Sequence, residues 1–559
     1  MYKKIILTFC FLFIFTSFTA SVFSQEWIHT INGQSDSDDR GYGIVVDASG
    51  NVYTTGYITN NNTGIDIIIT KHSNSGNLLW QYIFNGTGNS TDKAYGIVVD
   101  NNGNVYVTGY TTKTGGNIDY VTLKLNPSGT LKWSKTYNGG AGQEDKAWGI
   151  VVDASENCFV TGTAKNSSTG NDCVTLKYNK DGVQIWAKTF DAAMHKDDEA
   201  TCIAMDSNED IYVGGYGEFS SGNTDYMLVK YNTNGTLKWS KNYNGPGEQN
   251  DRVWGIVVDA SDNVYITGES AEISSKNDIA TLKYSSAGTL LWASRFNGTD
   301  GHDDKGYGIV VDELTNSCLI TGTTETNNRA LDIITLKLNT SNGAATWQKT
   351  FDGTGHSNDI ANDIVISETA GNRKVFITGI TRKGNSVQSE DIVVMVYDMS
   401  GSLLRMNTYG GEAEQDDGAF GIAVDQNDNY FLAGYIGVQS GTNDLAFSYD
   451  MASVKYDGGG LSGLNITSGN IPENFGLHQN YPNPFNPSTK ITFDIAENSN
   501  VTISIYDIAG KLVSQALNSD LNAGSYEINF NPAALSSGVY FYTLSAGSFR
   551  ETKKMTLIK

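Results

Sequence analysis

Short runs of alternating apolar and polar residues recur along most of the chain. In one unit they predict strands over residues 96–100, 105–110, 120–125 and 131–137, separated by segments rich in Asn, Gly, Pro and Ser. Glycines just before these strands supply the positive φ that a tight turn needs. The unit is therefore predicted to be a four-stranded antiparallel sheet.

The unit repeats at a nearly fixed period. A Gly-Ile-Val-Val-Asp pattern ends, with small variations, at residues 47, 100, 153, 206, 259 and 312, which are 53 residues apart, and recurs in looser form at Ser367 and Asp425. A period of this size is typical of solenoids and propellers. Four antiparallel strands per period favour the blade of a β-propeller, with eight blades in all.

The two ends of the repeat region predict how the ring closes. The last unit has three strands, at 421–425, 430–435 and 451–456, and lacks a fourth. An orphan strand at 27–33 matches the fourth strands of the other units, so we expect it to complete the eighth blade and cover an exposed sheet edge. Tryptophan recurs in every fourth strand except the seventh, which has Arg405, and is expected to pack between blades. These residues are Trp27, Trp80, Trp133, Trp186, Trp239, Trp292 and Trp347.

The period and these residues, over about 26–457, resemble the bacterial β-propeller repeat family that is often described as seven-bladed. Eight units are counted here, which departs from that description. The resemblance implies the fold and secretion, and it implies no particular activity.

The composition changes near residue 460, because five of the seven prolines lie beyond residue 470. We predict a propeller over 25–457, a glycine-rich linker over 458–470 and a second domain over 471–559. Within that domain, alternation at 501–506 and a strand starting at Gly538 predict a small immunoglobulin-like β-sandwich.

Several residues of this second domain resemble the C-terminal sorting domain of type IX secretion, the export route of Bacteroidetes-like bacteria. They are Tyr481, Pro482, Asn483, Pro484, Phe485, Asn486, Pro487, Gly510, Lys511, Lys553 and Lys554. The resemblance implies partners in the type IX machinery and a surface sortase, removal of the domain on exit, and attachment to lipopolysaccharide. The alternative is an accessory sandwich that stays on the chain.

The N-terminus predicts entry into that route through the periplasm. Lys3 and Lys4 precede an apolar run over 5–15 and then small and polar residues, which is typical of a signal peptide covering 1–24. No other stretch approaches 18 apolar residues, so a soluble mature chain without a transmembrane segment is expected. Cleavage takes the formal net charge from −23 to −25, which disfavours nucleic acid as a partner.

The cysteines and histidines are not expected to form disulfides or metal sites. Cys158, Cys173, Cys202 and Cys318 are expected to be small, unpaired and buried, since their places in the repeat put them beyond disulfide reach. His195, His302 and His356 are expected to be solvated loop residues rather than metal ligands. No nucleophile elbow, phosphate loop or Cys-x-x-Cys pair is present.

Aspartates recur on the face that is expected to carry the long loops, where function usually lies. One set precedes the first strands: Asp39, Asp92, Asp145, Asp198, Asp251, Asp304, Asp359 and Asp417. A second set precedes the third strands: Asp66, Asp119, Asp172, Asp225, Asp278, Asp332, Asp391 and Asp450. The candidate binding residues are Asp39, Asp92, Asp145, Asp251, Asp304, Asp66, Asp119, Asp172, Asp225 and Asp278.

Two roles fit these aspartates. They could form an acidic ring for cations or cationic ligands, or each could bond nearby backbone amides and fix its loop. Eightfold repetition favours the structural role, so no cofactor is predicted, with calcium as the alternative. The turn at 100–104 resembles part of a calcium loop but lacks the downstream Glu of an EF-hand.

A lysine follows five residues after most members of the second set. Blade seven has Val396 there and also lacks the Asp at the end of its first strand, where Ser367 stands. This joint loss predicts an Asp–Lys pair within each of the other blades.

The leading functional hypothesis is a secreted or surface scaffold, without catalysis, that binds a glycan or protein on the long-loop face. One alternative is an extracellular polysaccharide hydrolase or lyase with its site at the channel mouth, where carboxylates such as Asp303 and Asp304 would act. Another is a structural component of a surface layer.

Overall fold

A computed structural model describes residues 25–558 with short gaps. The gaps are 36, 141, 221, 248, 273–275, 299–300, 327–329, 354–355, 368–372, 383–388, 411–414, 440–446, 457–464, 469–471, 473, 487–488, 498, 522, 531–534 and 536. The predicted signal peptide, most of the predicted linker, Pro487 and the terminal Lys559 thus lie outside the described residues. In the described chain no helix is long and apolar enough to cross a membrane.

Every regular element of the described chain is a β-strand, and the strands form ten four-stranded sheets. The chain begins with β1 (Gln25–Ile31). Blade one contains β2 (Arg40–Val46), β3 (Val52–Asn60), β4 (Gly64–His72) and β5 (Leu78–Phe84). Blade two contains β6 (Lys93–Val99), β7 (Val105–Thr112), β8 (Ile118–Leu125) and β9 (Leu131–Tyr137). Blade three contains β10 (Asp145–Val152), β11 (Cys158–Asn166), β12 (Gly170–Tyr178) and β13 (Gln184–Phe190). Blade four contains β14 (Glu199–Met205), β15 (Ile211–Ser220), β16 (Asn223–Tyr231) and β17 (Leu237–Tyr243).

The remaining blades follow the same order. Blade five contains β18 (Arg252–Val258), β19 (Val264–Ala271), β20 (Asn277–Tyr284) and β21 (Leu290–Phe296). Blade six contains β22 (Asp304–Asp312), β23 (Ser317–Glu325), β24 (Leu331–Asn339) and β25 (Ala345–Phe351). Blade seven contains β26 (Ile360–Ile366), β27 (Lys374–Arg382), β28 (Glu390–Asp398) and β29 (Leu403–Tyr409). Blade eight contains β30 (Gly418–Val424), β31 (Tyr430–Gln439) and β32 (Phe447–Tyr456) together with β1.

The first strand of each blade begins earlier than the alternation predicts. In blade two it starts at Lys93, because a β-bulge between Ala94 and Gly96 carries the pairing with β7 past the break in the pattern. First strands of neighbouring blades lie next to one another all the way round, and β30 adjoins β2. These strands therefore form the inner wall of a closed eight-bladed propeller.

The N-terminal strand closes the ring, as the sequence predicted. β1 pairs antiparallel with β32, from Trp27 opposite Lys455 to Ile31 opposite Met451. The strand ends at Ile31 rather than at residue 33, because the chain turns into the long loop that leads to β2. The eighth blade thus consists of both ends of the propeller region, and β32 has no exposed edge.

Apolar side chains of adjacent blades form the core. A typical cluster joins Tyr53, Ile67 and Ile69 of blade one to Val105 and Val107 of blade two, and each of these side chains is fully buried. Because the faces of the sheets pack against each other, the hydrophobic effect stabilises the ring mainly at the blade junctions.

Tryptophan packs between blades, as predicted. The ring of Trp80 lies over Gly129 in the turn between the third and fourth strands of the next blade, where a Cβ atom would come within 2.6 Å of it. Its Nε1 donates to the carbonyl of Pro127 in the same turn, at 3.0 Å. The other six tryptophans of the fourth-strand set donate to the equivalent turn carbonyls: Asn74, Lys180, Thr233, Ser286, Thr340 and Met399.

The repeated lysines share these carbonyls, which corrects the predicted Asp–Lys pair. Lys124 Nζ lies 3.2 Å from the same Lys180 carbonyl that accepts from Trp133, and it forms an ion pair with Glu156 of the next blade at 2.7 Å. Five more lysines donate to the turn of the following blade: Lys177, Lys230, Lys283, Lys337 and Lys455. A direct pair with the Asp that ends the first strand forms in blade four, between Lys230 and Asp206 at 2.8 Å, and in blade five at 3.5 Å. The lysine mainly joins one blade to the next.

This contact explains the departures in blade seven. Its neighbour, blade eight, takes its fourth strand from the N-terminus and so has no turn between a third and a fourth strand. Without a turn carbonyl to receive them, the tryptophan and the lysine have no partner, and Arg405 and Val396 occupy their positions. The loss of the tryptophan and the lysine in blade seven therefore follows from the closure of the ring; nothing in these contacts explains Ser367.

The C-terminal region forms two more four-stranded sheets. One has the order β33 (Asn465–Ser468), β38 (Gly524–Phe530), β35 (Thr489–Ile495), β34 (Gly476–Leu477). The other has the order β37 (Leu512–Leu521), β36 (Ser499–Tyr506), β39 (Gly538–Ala546), β40 (Phe549–Leu557). Both sheets contribute to one core of buried residues drawn from this region alone, which confirms the predicted sandwich.

Candidate functional site

The first set of aspartates fastens the long loops. Asp92 is fully buried; its Oδ2 accepts from Gly86 N at 2.5 Å, and its Oδ1 accepts from Thr112 N at 2.9 Å. The carboxylate thereby joins the loop that enters the blade to the end of the second strand. Asp39, Asp145, Asp198 and Asp251 make the same two backbone contacts. Asp304 and Asp359 accept from the equivalent loop amides of Gly298 and Gly353, and Asp417 from Gly437 N.

Burial changes the acidity of these groups. Desolvation raises the pKa of Asp39 and of Asp198 to about 7, against the opposing effect of the amide hydrogen bonds. Because these carboxylates are enclosed and already accept from backbone amides, they are poorly placed to contact a glycan or a protein on the surface. The geometry favours the structural role for this set.

The second set lies inside the third strands, whereas the sequence placed it just before them. Asp119, for example, is the second residue of β8 and pairs in register with Thr111. These carboxylates bond to side chains rather than to the expected backbone amides. Asp66 accepts from Asn60 Nδ2 and Thr63 Oγ1, Asp119 from Asn117, Asp172 from Thr169, Asp225 from Asn242 and Asp278 from Arg295.

Aromatic side chains line the inner end of the long-loop face, a feature that the sequence reasoning missed. In six of the eight blades, an aromatic residue occupies the bulge of the first strand, three residues after the first-set Asp. They are Tyr42, Tyr95, Trp148, Trp254, Tyr307 and Phe420, and all are partly exposed. The signal that could have found them is this fixed offset from the aspartates.

Four of these rings form a continuous arc across four blades. The ring centroids of Phe420 and Tyr42 lie 4.9 Å apart, those of Tyr42 and Tyr95 4.9 Å, and those of Tyr95 and Trp148 4.8 Å. Contacts at this range are typical of favourable aromatic pairs. The arc, defined by these four residues, presents an apolar strip beside the channel.

A polar cleft of about 530 Å³ opens at the end of the arc formed by Trp148. Its walls come from the loop between the second and third strands of blade two and from the loop that leads into blade three, so these two loop types share one face, as predicted. Besides Trp148, its lining includes Asn117, Gln143, Glu144, Lys165 and Glu199. A cleft of this size, with one aromatic face and several amide and charged groups, can hold a polar molecule several rings or residues long.

The charges in the cleft are partly paired. Glu144 lies 2.6 Å from Lys146 Nζ, and the hydrogen bond and charge of that lysine lower the pKa of Glu144. A glycosidase acid needs the opposite shift, so that it holds a proton near neutral pH. Asp304, one of the two carboxylates considered for hydrolysis, is fully buried against Gly298 N.

The predicted histidines are exposed or partly exposed, but each lies within 4.0 Å of a carboxylate oxygen, and two of the contacts are short. His195 Nδ1 lies 2.6 Å from Asp191, and His356 Nδ1 lies 2.6 Å from Asp352. Each pair raises the pKa of its imidazole. The four cysteines are free, and Cys158 pairs in register with Tyr178 rather than with Cys173. Cys158, Cys173 and Cys318 are buried, as expected, whereas Cys202 is only partly buried.

The sorting-motif residues pack against the last strand of the sandwich. Phe485 is buried; its N–H donates to the carbonyl of Thr556 in β40, and its carbonyl accepts from the N–H of Ile558 just beyond that strand, each at 2.9 Å. Asn483 accepts from Thr556 N at 2.9 Å and donates to the Lys554 carbonyl at 3.2 Å. Two motif segments far apart in sequence thus meet in one structure, while Tyr481 remains 79% exposed.

The turn and the terminal lysines of the motif are exposed to solvent to different degrees. Gly510 has a φ of 78° in a turn where Asp507 accepts from the amide of Lys511 at 3.0 Å. Lys553 pairs with Glu551 at 2.8 Å. Lys511 and Lys554 are exposed, whereas Lys553 is partly buried.

Comparison with solved structures finds proteins whose backbones align in part with this one. A quinohemoprotein alcohol dehydrogenase from Comamonas testosteroni is 11% identical, with a TM-score of 0.42 over 81% of this chain and 78% of that one. A periplasmic gluconolactonase from Pseudomonas aeruginosa is 10% identical, with a TM-score of 0.40 over 64% of this chain and 94% of that one. Scores this low carry no argument about activity. The search of curated proteins finds no match.

Family models match both parts of the chain. The beta-propeller repeat model matches residues 26–62 and 81–117. The secretion system C-terminal sorting domain model matches residues 479–559. Such a domain interacts with the type IX secretion machinery and directs export to the outer cell surface or the medium. The chain is therefore an exported or surface protein, built from β-propeller repeats and a secretion system C-terminal sorting domain.

Proposed function

We propose that the protein is a surface or secreted scaffold that binds a glycan on the long-loop face of its propeller, without turning it over. The observation that carries this proposal is Trp148, a partly exposed ring that ends the aromatic arc and borders the polar cleft. Among the ligand classes considered, a glycan fits best, because sugars combine apolar C–H faces with many hydroxyls.

The cleft offers partners for both features of a sugar. The negative face of an aromatic ring attracts the C–H groups of a pyranose, and amide and carboxylate side chains such as Asn117, Asn171 and Glu199 can bond its hydroxyls. Of the two carboxylates in the cleft, Glu144 is a poor proton donor because Lys146 lowers its pKa, which supports binding rather than acid catalysis by that group.

Export supports the same function. A chain delivered to the outer surface meets extracellular polymers, and loops carried by a rigid ring are suited to recognise them. After export, the sorting domain is proposed to be removed by a surface sortase, with attachment of the propeller to lipopolysaccharide.

The test is a glycan array with the purified chain, followed by calorimetry on any ligand found. Trp148→Ala should weaken binding roughly tenfold, since an aromatic contact contributes about 0.5–1.5 kcal/mol beyond its area. Trp254→Ala is the matched control, because Trp254 occupies the same bulge position in blade five and does not line the cleft.

Three results would contradict the proposal. Equal losses in the two variants would place the ligand outside the cleft, and hydrolysis or elimination of the bound glycan would favour the enzymatic alternative. Reversible self-assembly into sheets with no glycan binding would favour a surface-layer component.

A further inference from the structure

Three carboxylates converge at each of two blade junctions. At the junction of blades three and four, Asp172, Asp191 and Asp198 each place one oxygen so that the three oxygens lie within 4.8 Å of one another. At the junction of blades six and seven, Asp332, Asp352 and Asp359 do the same. We call these two groups the acidic triads.

The fold brings each triad together from three segments. Asp172 lies in the third strand of blade three, Asp191 directly follows the fourth strand, and Asp198 directly precedes the first strand of blade four. The second triad takes its members from the equivalent positions of blades six and seven. The two triads are thus the same arrangement at two places in the ring.

The residue that directly follows the fourth strand, Asp191 or Asp352, distinguishes these two junctions from the other six. Where the triads have Asp191 and Asp352, five junctions have asparagine and one has glycine. These residues are Asn32, Asn85, Asn138, Asn244, Asn297 and Gly410. A third negative charge is therefore added at two junctions only, which breaks the symmetry that a purely structural repeat would keep.

Unmatched buried oxygens point independently to a ligand. Asp172 is 3% exposed and Asp332 5% exposed, and the Oδ1 of each accepts no hydrogen bond from any described residue. The Oδ1 atoms of Asp191 and Asp352 are enclosed in the same way. An anionic oxygen that is buried without a donor is costly, and three carboxylates this close repel one another.

The asparagine junctions show what the third carboxylate changes. Asp66 and Asp225, at two such junctions, also have an Oδ1 without a described donor, so that feature alone does not distinguish the triads. In the triads one oxygen of that carboxylate also lies within 4.8 Å of oxygens from two further carboxylates.

We propose that each acidic triad binds one hard divalent cation, with calcium the best fit. The ligand set consists of carboxylate oxygens, which calcium prefers, and calcium accepts the irregular geometry of a loop site by adding water or carbonyl oxygens. Zinc favours nitrogen and sulfur ligands, and the nearby imidazole Nδ1 atoms already contact Asp191 and Asp352. The side chains of Asp191 and Asp352 are 24% and 34% exposed, which leaves a path for the ion from solvent.

The test measures calcium stoichiometry on the purified full chain after treatment with EDTA. Equilibrium dialysis or calorimetry with calcium chloride should give two ions per chain. Asp191→Asn and Asp352→Asn should each leave one ion, and the double variant none. Asparagine is the residue of five other junctions, so these changes suit the fold. Asp181→Asn, an exposed residue of a turn outside the triads, is the control with the same change of charge and should keep both ions.

Thermal melting gives a second readout. Calcium should raise the melting temperature of the wild type and of Asp181→Asn, and it should not raise that of the double variant. If the double variant does not fold by circular dichroism, each single variant still decides, since it must lose one of the two ions. Absence of calcium binding by the wild type, an unchanged stoichiometry in the single variants, or tighter binding of zinc than of calcium would overturn the proposal.

Discussion

Removing the Trp27 side chain should open the propeller at its closing strand. Trp27 Nε1 donates to the Asn74 carbonyl at 3.1 Å, and the ring packs 5.6 Å from His72 and 6.1 Å from Phe431 between centroids. Truncation of a buried Trp to Ala costs about 3–5 kcal/mol. Because Trp27 is only partly buried, we expect Trp27→Ala to lower the free energy of unfolding by about 2–4 kcal/mol, of which roughly 1 kcal/mol is the lost hydrogen bond.

Trp80→Ala is the matched control, because Trp80 makes the same contact with Pro127 in the next blade. Its strand is held by chain on both sides, whereas β1 lies at the beginning of the described chain and is bound to its blade by pairing with β32. Both variants should lose similar stability in urea titrations. In hydrogen exchange, only Trp27→Ala should lose protection in β1 and in the facing edge of β32. Equal protection of these two strands in the two variants would refute the closure argument.

Three further predictions follow from buried polar groups. Asp92→Ala should lower the free energy of unfolding by about 1–3 kcal/mol, measured by urea titration, because Gly86 N and Thr112 N lose their acceptor; an unchanged stability would argue against the loop-fastening role. Burial lowers the pKa of His72 to about 3, below its value of 6.5 in the unfolded chain, so the unfolded chain binds more protons between these pH values and stability should fall by about 2 kcal/mol from pH 7 to pH 5. His72→Phe should remove that part of the pH dependence, and an identical pH profile would contradict the assignment. Burial raises the pKa of the Cys158 thiol to about 12, and Cys173 and Cys318 are also fully buried, so iodoacetamide should alkylate these three cysteines only after unfolding; their rapid modification in the native chain would contradict this burial.

Much of the fold could be predicted because the same sequence pattern recurs in eight units. The sequence shows the period, the turn glycines and the tryptophans of the fourth strands directly, because each of these features has a local physical cause. The missing fourth strand and the orphan strand at Trp27 likewise predicted the closure that the pairing of β1 with β32 confirms.

Contacts between blades were harder to predict, because they join residues about one repeat apart. The joint loss at Ser367 and Val396 suggested a pair within a blade, although Lys124 and its equivalents mainly contact the turn of the next blade. The start of each first strand was placed late because a bulge such as that at Tyr95 interrupts the alternation. The acidic triads depend on three segments meeting across a junction, and only the change from asparagine to Asp191 and Asp352 marks them in the sequence.

For the candidate site, the sequence predicted only which face of the propeller carries it. The sequence placed the long loops together, and the cleft between blades two and three agrees with that. It did not single out Trp148, whose neighbours in the arc lie on other blades. The roles of the repeated aspartates and the domain boundaries stay predictions.

Export of the two parts of the chain tests the central claim most directly. In a host with type IX secretion, residues 471–559 fused to an unrelated folded cargo with its own signal peptide should carry that cargo to the cell surface or the medium, because this region has a core of its own and includes the matched sorting domain. The chain ending at Asp457 should stay in the periplasm as a folded β-protein. A fusion retained in the periplasm, or a shortened chain that still reaches the outside, would contradict the account.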